Sequence, residues 1–237
     1  MPTGEQSEKT IAFVLYAGLT PLDLTGPLQV MTALSEISPE YRTVVVGERL
    51  ETIESDIPTL RMIPNKTFEE VPHPFALIVP GGVTPTIRAM GNEAIRSFVS
   101  SVAETAGVVG SVCTGACILA SAGLLEGRQA TTHWAFYKVL EQFGAKYVRK
   151  RWVEDGKFIT SAGVSAGIDM ALQLAARLTD EETSREVQYR LGYDPEPPFG
   201  GIDYEHIGLQ LGAARTVVSL AAPVIAAKPK RLTRRGR

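Results

Sequence analysis

The sequence predicts an α/β fold, a flavodoxin-like sandwich with a mostly parallel central sheet flanked by helices. Three observations favour it: short runs rich in Val and Ile alternate with longer segments of helical periodicity, turn residues separate the two, and no segment is repeated. At 237 residues the chain is long enough for one large core. We expect one domain over residues 10–222, between a disordered N-terminus (1–9) and a basic, flexible tail (223–237).

The strands are predicted from apolar runs that end at turn residues. Continuous apolar runs are typical of parallel strands with both faces buried. The run over residues 75–79 stops at Pro80-Gly81-Gly82, and Asp155-Gly156 separates the two arms of a predicted hairpin. The predicted strands are 11–16, 41–46, an outer strand at 60–63, 75–79, 108–112, a short one at 130–132, and the hairpin arms 147–153 and 158–161.

The helices are predicted from apolar residues at three- and four-residue spacing. The first follows the Thr25-Gly26-Pro27 start through Leu28, Met31 and Leu34. Gly144 lies where a glycine commonly ends a helix, and Pro195, Pro197 and Pro198 predict an extended segment. The remaining predicted helices are 92–105, a helix directly after Cys113, 135–143, 164–178, 181–191 and 207–220.

Composition excludes several classes of function. A net charge of −2 leaves no phosphate-binding surface outside the basic tail, so no nucleic-acid partner is expected. The sequence has no run of eighteen apolar residues and no secretory signal, which predicts a cytoplasmic protein without a membrane partner. Two cysteines and three scattered histidines predict neither a disulfide framework nor a metal site.

Cys113 is the main candidate for chemistry. It follows a predicted buried strand directly and begins a helix, the place where open α/β sheets carry their active sites. A helix start stabilises an anion, so the thiol pKa is expected to fall below its usual value of ~8.5. Gly110, Gly115 and Ala116 leave room for a sharp turn. The alternative is an inert buried cysteine, the role we expect for Cys117 one turn later.

Other residues are expected to converge on this turn. Gly81 and Gly82 follow a neighbouring strand; they either form only a turn, or their amides act with the Thr114 amide as an oxyanion hole. Asp23 follows the first strand and is either a helix cap or a proton donor whose pKa a nearby thiolate would raise. His133 ends a strand; it either supports chemistry near Cys113 or only makes structural hydrogen bonds.

Four segments in collinear order resemble the ThiJ/PfpI superfamily, which is related to class I glutamine amidotransferases. They are Leu-Asp-Leu-Thr-Gly-Pro (22–27), Val-Pro-Gly-Gly (79–82), Ser-Val-Cys-Thr-Gly-Ala (111–116) and Ala-Gly-Ile-Asp (166–169). Within the superfamily the chain is most similar to the isocyanide hydratases, including Val187-Gln188 and residues 197–199. The resemblance covers nearly all of residues 11–199.

The resemblance implies a cofactor-independent lyase with a small-molecule substrate. Cys113 would be the nucleophile, Asp23 the general acid and base, and Thr114 the residue beside the cysteine. Isocyanides would be hydrated to N-substituted formamides through a thioimidate on Cys113. Some superfamily members have a histidine directly after the cysteine; this chain has Thr114 there, which disfavours a Cys–His protease.

The resemblance leaves alternatives open. Similar segments occur in the sensor half of AraC-type transcription regulators, which implies a ligand-sensing or redox-sensing domain, although their two helix-turn-helix units need about a hundred further residues. A glyoxalase-like reaction on the same cysteine is the other alternative. A homodimer is also expected, with residues 193–199 and the last helix as candidates to cross between subunits.

Overall fold

The computed structural model describes residues 8–204, which are built around one seven-stranded sheet. The sheet runs in the order β10-β11-β7-β6-β1-β2-β5, and every neighbouring pair is parallel except β10 with β11. This confirms the predicted mostly parallel sheet. Its strands are β1 (Lys9–Val14), β2 (Tyr41–Gly47), β5 (Lys66–Thr67), β6 (Ala76–Val79), β7 (Val108–Val112), β10 (Trp152–Asp155) and β11 (Phe158–Ser161).

Two small sheets lie outside the main one. β3 (Ile53–Glu54) pairs antiparallel with β4 (Arg61–Met62). β8 (Gln129–Ala130) pairs parallel with β9 (Lys146–Tyr147).

Seven helices in the described part of the chain flank the sheet in two groups. α1, α6 and α7 pack on one another, and α4 packs on α2, α3 and α5. This flanking confirms the predicted sandwich. The helices are α1 (Pro21–Ile37), α2 (Val83–Gly91), α3 (Glu93–Thr105), α4 (Gly115–Ser121), α5 (Tyr137–Gln142), α6 (Ala166–Leu178) and α7 (Glu181–Leu191).

Burial explains why the central strands are apolar throughout. Every residue of β6 and β7 is buried, because helices cover both faces of the sheet at its centre. Polar caps set two of the helix starts. Asn92 Oδ1 accepts the Ile95 amide at 3.1 Å at the start of α3, and Asp180 Oδ1 accepts the Thr183 amide at 2.8 Å at the start of α7.

The sheet order brings three chain segments together. β7, β6 and β1 are consecutive neighbours and run parallel, so their carboxyl ends lie side by side. Cys113 directly follows β7, Gly81 comes two residues after β6, and Asp23 lies in α1, which follows β1. This edge is where open α/β sheets bind ligands.

Several predicted elements differ from those observed. α1 begins at Pro21 instead of after Thr25, because proline is well suited to the first helical turn; Pro27 lies inside the helix. Helix α2 was not predicted, since Pro85 and the β-branched residues of its first turns weaken its helical pattern. The predicted outer strand 60–63 shortens to β4 and joins β3, while β5 forms the sheet edge.

The hairpin is shorter than the sequence predicts. Its arms are β10 and β11, whereas Tyr147 belongs to β9 and pairs with β8. Gly144 follows α5 with φ 85°, as the predicted helix end requires. The predicted helix 207–220 and tail 223–237 lie outside the described residues. Within residues 8–204, no helix has the length and apolar character needed to cross a bilayer, and no three potential metal ligands cluster.

Candidate active site

Cys113 occupies a strained turn between β7 and α4. Its φ is 55°, which makes it the one non-glycine residue with positive φ among residues 8–204. Its N–H donates to the Ser161 carbonyl at 3.0 Å, continuing the pairing of β7 with β11. Gly115 lets the segment after β6 approach α4 closely, since a Cβ at position 115 would lie 2.9 Å from the Pro80 carbonyl carbon. The small residues therefore permit the sharp turn.

The Cys113 thiol is almost fully enclosed. The residue is 1% exposed, and burial raises its pKa well above the ordinary value. The negative charge of Asp23 raises the thiol pKa further, while the Thr114 amide lowers it. The expected lowering of the thiol pKa is thus wrong for this structure, because burial destabilises the thiolate more than the Thr114 amide stabilises it.

Asp23 lies beside this thiol with its carboxyl buried. Burial is the main cause that raises the Asp23 pKa to about 7; the charge of Asp56 adds to it, and the interactions with the Gly81 amide and Cys113 oppose it. Oδ2 accepts the Gly81 amide at 3.0 Å. Oδ1 is buried and has no hydrogen-bond partner in the described part of the chain. The side chain does not cap α1, whose N-cap is Thr20.

A buried chain of hydroxyl groups holds Thr114. The Gly82 amide donates to Thr114 Oγ1 at 3.0 Å, and the Thr114 and Thr86 hydroxyls lie 2.7 Å apart. The Thr86 hydroxyl is 3.2 Å from the Tyr16 hydroxyl, which donates to the Pro80 carbonyl at 3.1 Å. Because Tyr16 has one proton, the direction is fixed: Thr114 donates to Thr86, and Thr86 donates to Tyr16.

Both ends of this series of hydroxyl groups bind the 80–82 turn. One end accepts the Gly82 amide, and the other donates to the Pro80 carbonyl. The turn is thereby tied to Thr114, the residue next to the nucleophile. Every group in the chain is satisfied, which makes the arrangement rigid.

The two glycine amides are already engaged. Gly81 N–H binds the Asp23 carboxylate and Gly82 N–H binds the Thr114 hydroxyl. This differs from the predicted oxyanion hole, in which both amides would be free to bind a developing charge. Here they position the carboxyl and the hydroxyl beside Cys113.

His133 and Cys117 lie near the site without joining it. The His133 ring accepts the Ala135 amide at 3.3 Å and contacts two aromatic rings, and none of its described contacts reaches Cys113. Burial lowers the His133 pKa. Cys117 is fully buried in the core, with its sulfur 3.9 Å from the Thr132 hydroxyl.

A cavity of about 530 Å³ lies beside the site, and we call it the side cavity. Thr132 is part of its wall and also donates to the Cys113 carbonyl at 2.9 Å. Leu22, another wall residue, precedes Asp23. The rest of the wall includes Trp134, Tyr147, Arg149 and Val164.

Cys113, Asp23 and Thr114 lie together as the sequence predicts. The hydroxyl groups that bind Thr114 and Cys113 from the interior are not predicted from the sequence. Tyr16 and Thr86 carry no local motif; their link to Thr114 exists only because β1, β6 and β7 are neighbours. Thr132 was assigned only to a predicted strand. The one signal that could have indicated Tyr16 is its hydroxyl at the end of the apolar run 11–16.

Known proteins with similar sequences and structures include enzymes and regulators. The isonitrile hydratase of Pseudomonas putida is 41% identical over 191 residues, which cover 80% of each chain. The transcriptional regulator GbdR of Pseudomonas aeruginosa is 26% identical over 201 residues, 82% of this chain and 53% of the regulator. The crystal structure of a ThiJ/PfpI family protein from Pseudomonas syringae superposes with a TM-score of 0.83 at 31% identity, covering 93% of this chain and 91% of that one.

The family assignment rests on the greater part of the chain. The DJ-1/PfpI family model matches residues 9–177, a range that includes Asp23, the 80–82 turn and Cys113. The relative that is 41% identical is aligned over 80% of each chain. The chain therefore belongs to the DJ-1/PfpI family.

Proposed function

We propose that this protein hydrates isocyanides to N-substituted formamides through a covalent thioimidate on Cys113. The observation that carries the proposal is the Cys113–Asp23 pair: a buried thiol beside a buried carboxyl whose pKa is raised to about 7. Such a carboxyl can both accept and return a proton near neutral pH. The similarity to the isonitrile hydratase of Pseudomonas putida supports the choice of substrate.

In the first step the pair supplies a nucleophile and a proton. The sulfur lone pair of Cys113 forms a bond to the terminal isocyanide carbon. Asp23 takes the thiol proton and delivers it to the same carbon, so the net change adds S–H across that carbon. The product is a neutral thioimidate, R–N=CH–S–Cys, and Asp23 is left as a carboxylate that can accept a proton in the next step.

In the second step water completes the hydration. Asp23 removes a proton from the water as its oxygen attacks the thioimidate carbon, and it passes that proton to the nitrogen. The tetrahedral intermediate R–NH–CH(OH)–S–Cys then breaks its C–S bond, and sulfur leaves with the electron pair. Asp23 takes the hydroxyl proton as the C=O bond forms and passes it to the sulfur, which releases R–NH–CHO. The two half-reactions add one water and consume nothing else.

The surroundings of Cys113 favour this chemistry over peptide hydrolysis. A Cys–His protease needs an imidazole within hydrogen-bond reach of the sulfur. Thr114 stands directly after the cysteine, and no described contact of His133 reaches it. Asp23 is the titratable group whose charge acts on the thiol most strongly.

The test uses para-nitrophenyl isocyanide with wild type and two variants. We expect wild type to form the formamide, Cys113→Ala to lose turnover, and Cys113→Ser to lose most of it, because an alcohol is a far weaker nucleophile at neutral pH. Mass spectrometry of the wild type quenched during turnover should show Cys113 heavier by the mass of the whole isocyanide. Continued hydration by folded Cys113→Ala protein would refute the mechanism.

A ligand-sensing role is the second candidate, favoured by one observation. GbdR matches 82% of this chain, although at lower identity than the hydratase. A sensor would bind a ligand or oxidise at Cys113 without turnover. Three parallel assays separate the candidates: isocyanide hydration, methylglyoxal loss for a glyoxalase-like reaction, and mass spectrometry of Cys113 after peroxide.

A further inference from the structure

We propose that the side cavity selects isocyanides that carry a carboxylate on an aromatic or apolar stem. This inference rests on the proposed function, because it assigns the substrate class of the same site. It adds Arg149 as the residue that binds the carboxylate and determines specificity.

The side cavity is placed to hold the body of a substrate whose isocyanide group reaches Cys113. Thr132 links its wall to Cys113 through one hydrogen bond, and Leu22 links it to Asp23 through one peptide bond. Ala162, also in the wall, follows Ser161, whose carbonyl accepts the Cys113 amide. On this proposal only the linear isocyanide head enters the enclosed turn at Cys113, and the body of the substrate stays in the side cavity.

The lining near this turn suits an apolar or aromatic stem. Trp134, Tyr147 and Tyr204 are aromatic wall residues, and Val164 and Ile202 are aliphatic ones. A volume of about 530 Å³ is within the range of sites that enclose a small organic ligand. The stem would therefore be buried by contacts that do not depend on charge.

The charge of the lining is positive. It includes Arg149, Lys150 and Arg151, and no Asp or Glu is among the described wall residues. Arg151 is neutralised by Asp169, to which its Nε donates at 2.6 Å. The side chains of Arg149 and Lys150 have no ion pair or hydrogen bond in the described part of the chain. Two cations thus remain for an anionic ligand group.

Arg149 is the better placed of the two cations. Arg149 and Tyr147 both line the side cavity and lie two residues apart in the chain. On this proposal a carboxylate beside the Tyr147 ring is within reach of the guanidinium. A guanidinium binds a carboxylate through two parallel hydrogen bonds, which an ammonium cannot do.

The experiment compares 4-isocyanobenzoate with its neutral methyl ester. Both have the same ring and isocyanide group, so their kcat/KM ratio isolates the contribution of the carboxylate. We expect wild type to prefer the carboxylate and Arg149→Gln to reduce the ratio about tenfold, the loss typical of one charged hydrogen-bonded contact. Lys138→Gln is the matched control: it removes an exposed positive charge outside the cavity and should leave the ratio unchanged.

A binding measurement gives a readout that does not need turnover. Calorimetric titration with 4-formamidobenzoate, the expected product, should show weaker binding to Arg149→Gln than to wild type or Lys138→Gln. Higher salt should reduce the wild-type affinity, since screening acts over ~10 Å at 0.1 M.

The outcomes separate the two proposals. If both substrates are hydrated and Arg149→Gln affects them equally, the carboxylate site is refuted and the hydratase function stands. If neither substrate is hydrated although para-nitrophenyl isocyanide is, this substrate class is refuted and the hydratase function stands. If none of the three isocyanides is hydrated, the hydratase function is refuted and this substrate class with it. Loss of the ratio in Lys138→Gln as well would refute a specific contact with Arg149.

Discussion

The backbone amide of Gly81 donates a 3.0 Å hydrogen bond to Asp23 Oδ2, which joins the 80–82 turn to the carboxyl beside the nucleophile. A Cβ at position 81 would lie 2.5 Å from Thr114 Oγ1 and 2.8 Å from Asp23 Oδ2. Gly81→Ala should therefore separate these groups and lower kcat about 100-fold, the scale of a misplaced general acid.

Gly91→Ala is the control for this change. Gly91 ends α2 and has no atom within 4 Å of an added Cβ, so the variant should keep both its fold and its kcat. Full activity in Gly81→Ala would show that the Gly81–Asp23 contact is not needed.

The pH dependence of turnover follows from the proton shared by Asp23 and Cys113. The active pair holds one proton, and the raised pKa of Asp23, about 7, marks where a second proton binds as pH falls. We expect kcat/KM to rise with pH through about 7. The charge of Asp56 contributes to the raised pKa of Asp23, so Asp56→Asn should move this rise to lower pH. A rate that is flat from pH 5 to 8 would contradict the assignment.

The same carboxyl should make stability depend on pH. Folding raises the Asp23 pKa from 3.8 to about 7, so in this interval the folded protein holds a proton that the unfolded chain releases. The contribution of this group to the free energy of unfolding therefore falls as pH rises from about 4 to about 7. Asp23→Asn has no such proton and should show a smaller fall, measured by urea denaturation at pH 5 and pH 8, and hardly any turnover. An identical pH dependence in both proteins would contradict the pKa assignment.

We predict that the Thr86 hydroxyl positions Thr114 and does not itself contact the substrate. Thr86→Val keeps the shape of the side chain but removes the acceptor of Thr114 and the donor to Tyr16. We expect kcat to fall about tenfold with little change in KM, and stability to fall by about 1–3 kcal/mol. Ser184→Ala is the control, because it removes a buried hydroxyl between α6 and α7. It should reduce stability without reducing kcat; an equal loss of kcat would show that the effect is general.

A substitution of His133 distinguishes hydration assisted by Asp23 from a Cys–His mechanism. Its ring is part of the cavity wall and binds the Ala135 amide. His133→Gln should therefore change KM more than kcat, whereas a histidine base would lower kcat about 100-fold or more. Steady-state kinetics with para-nitrophenyl isocyanide decide between these results.

The chemistry-bearing residues were predictable where sequence and topology coincide. Cys113 comes directly after an apolar run, and parallel strands place the residues beyond their carboxyl ends at one edge of the sheet. The thiol pKa was not predictable, because it depends on how completely the folded chain encloses the sulfur. The roles of Gly81 and Gly82 depended on which acceptor each amide found, and that is decided by the approach of α1 and Thr114.

The left-handed backbone of Cys113 has a consequence for how this position can change. Glycine and asparagine adopt φ near 55° at lower cost than cysteine does, by about 1 kcal/mol or more for glycine. Replacement of Cys113 by glycine would thus remove the backbone strain and offset part of the packing lost with the buried side chain. Backbone conformation therefore does not favour cysteine here, and selection for the chemistry would keep the sulfur at this residue.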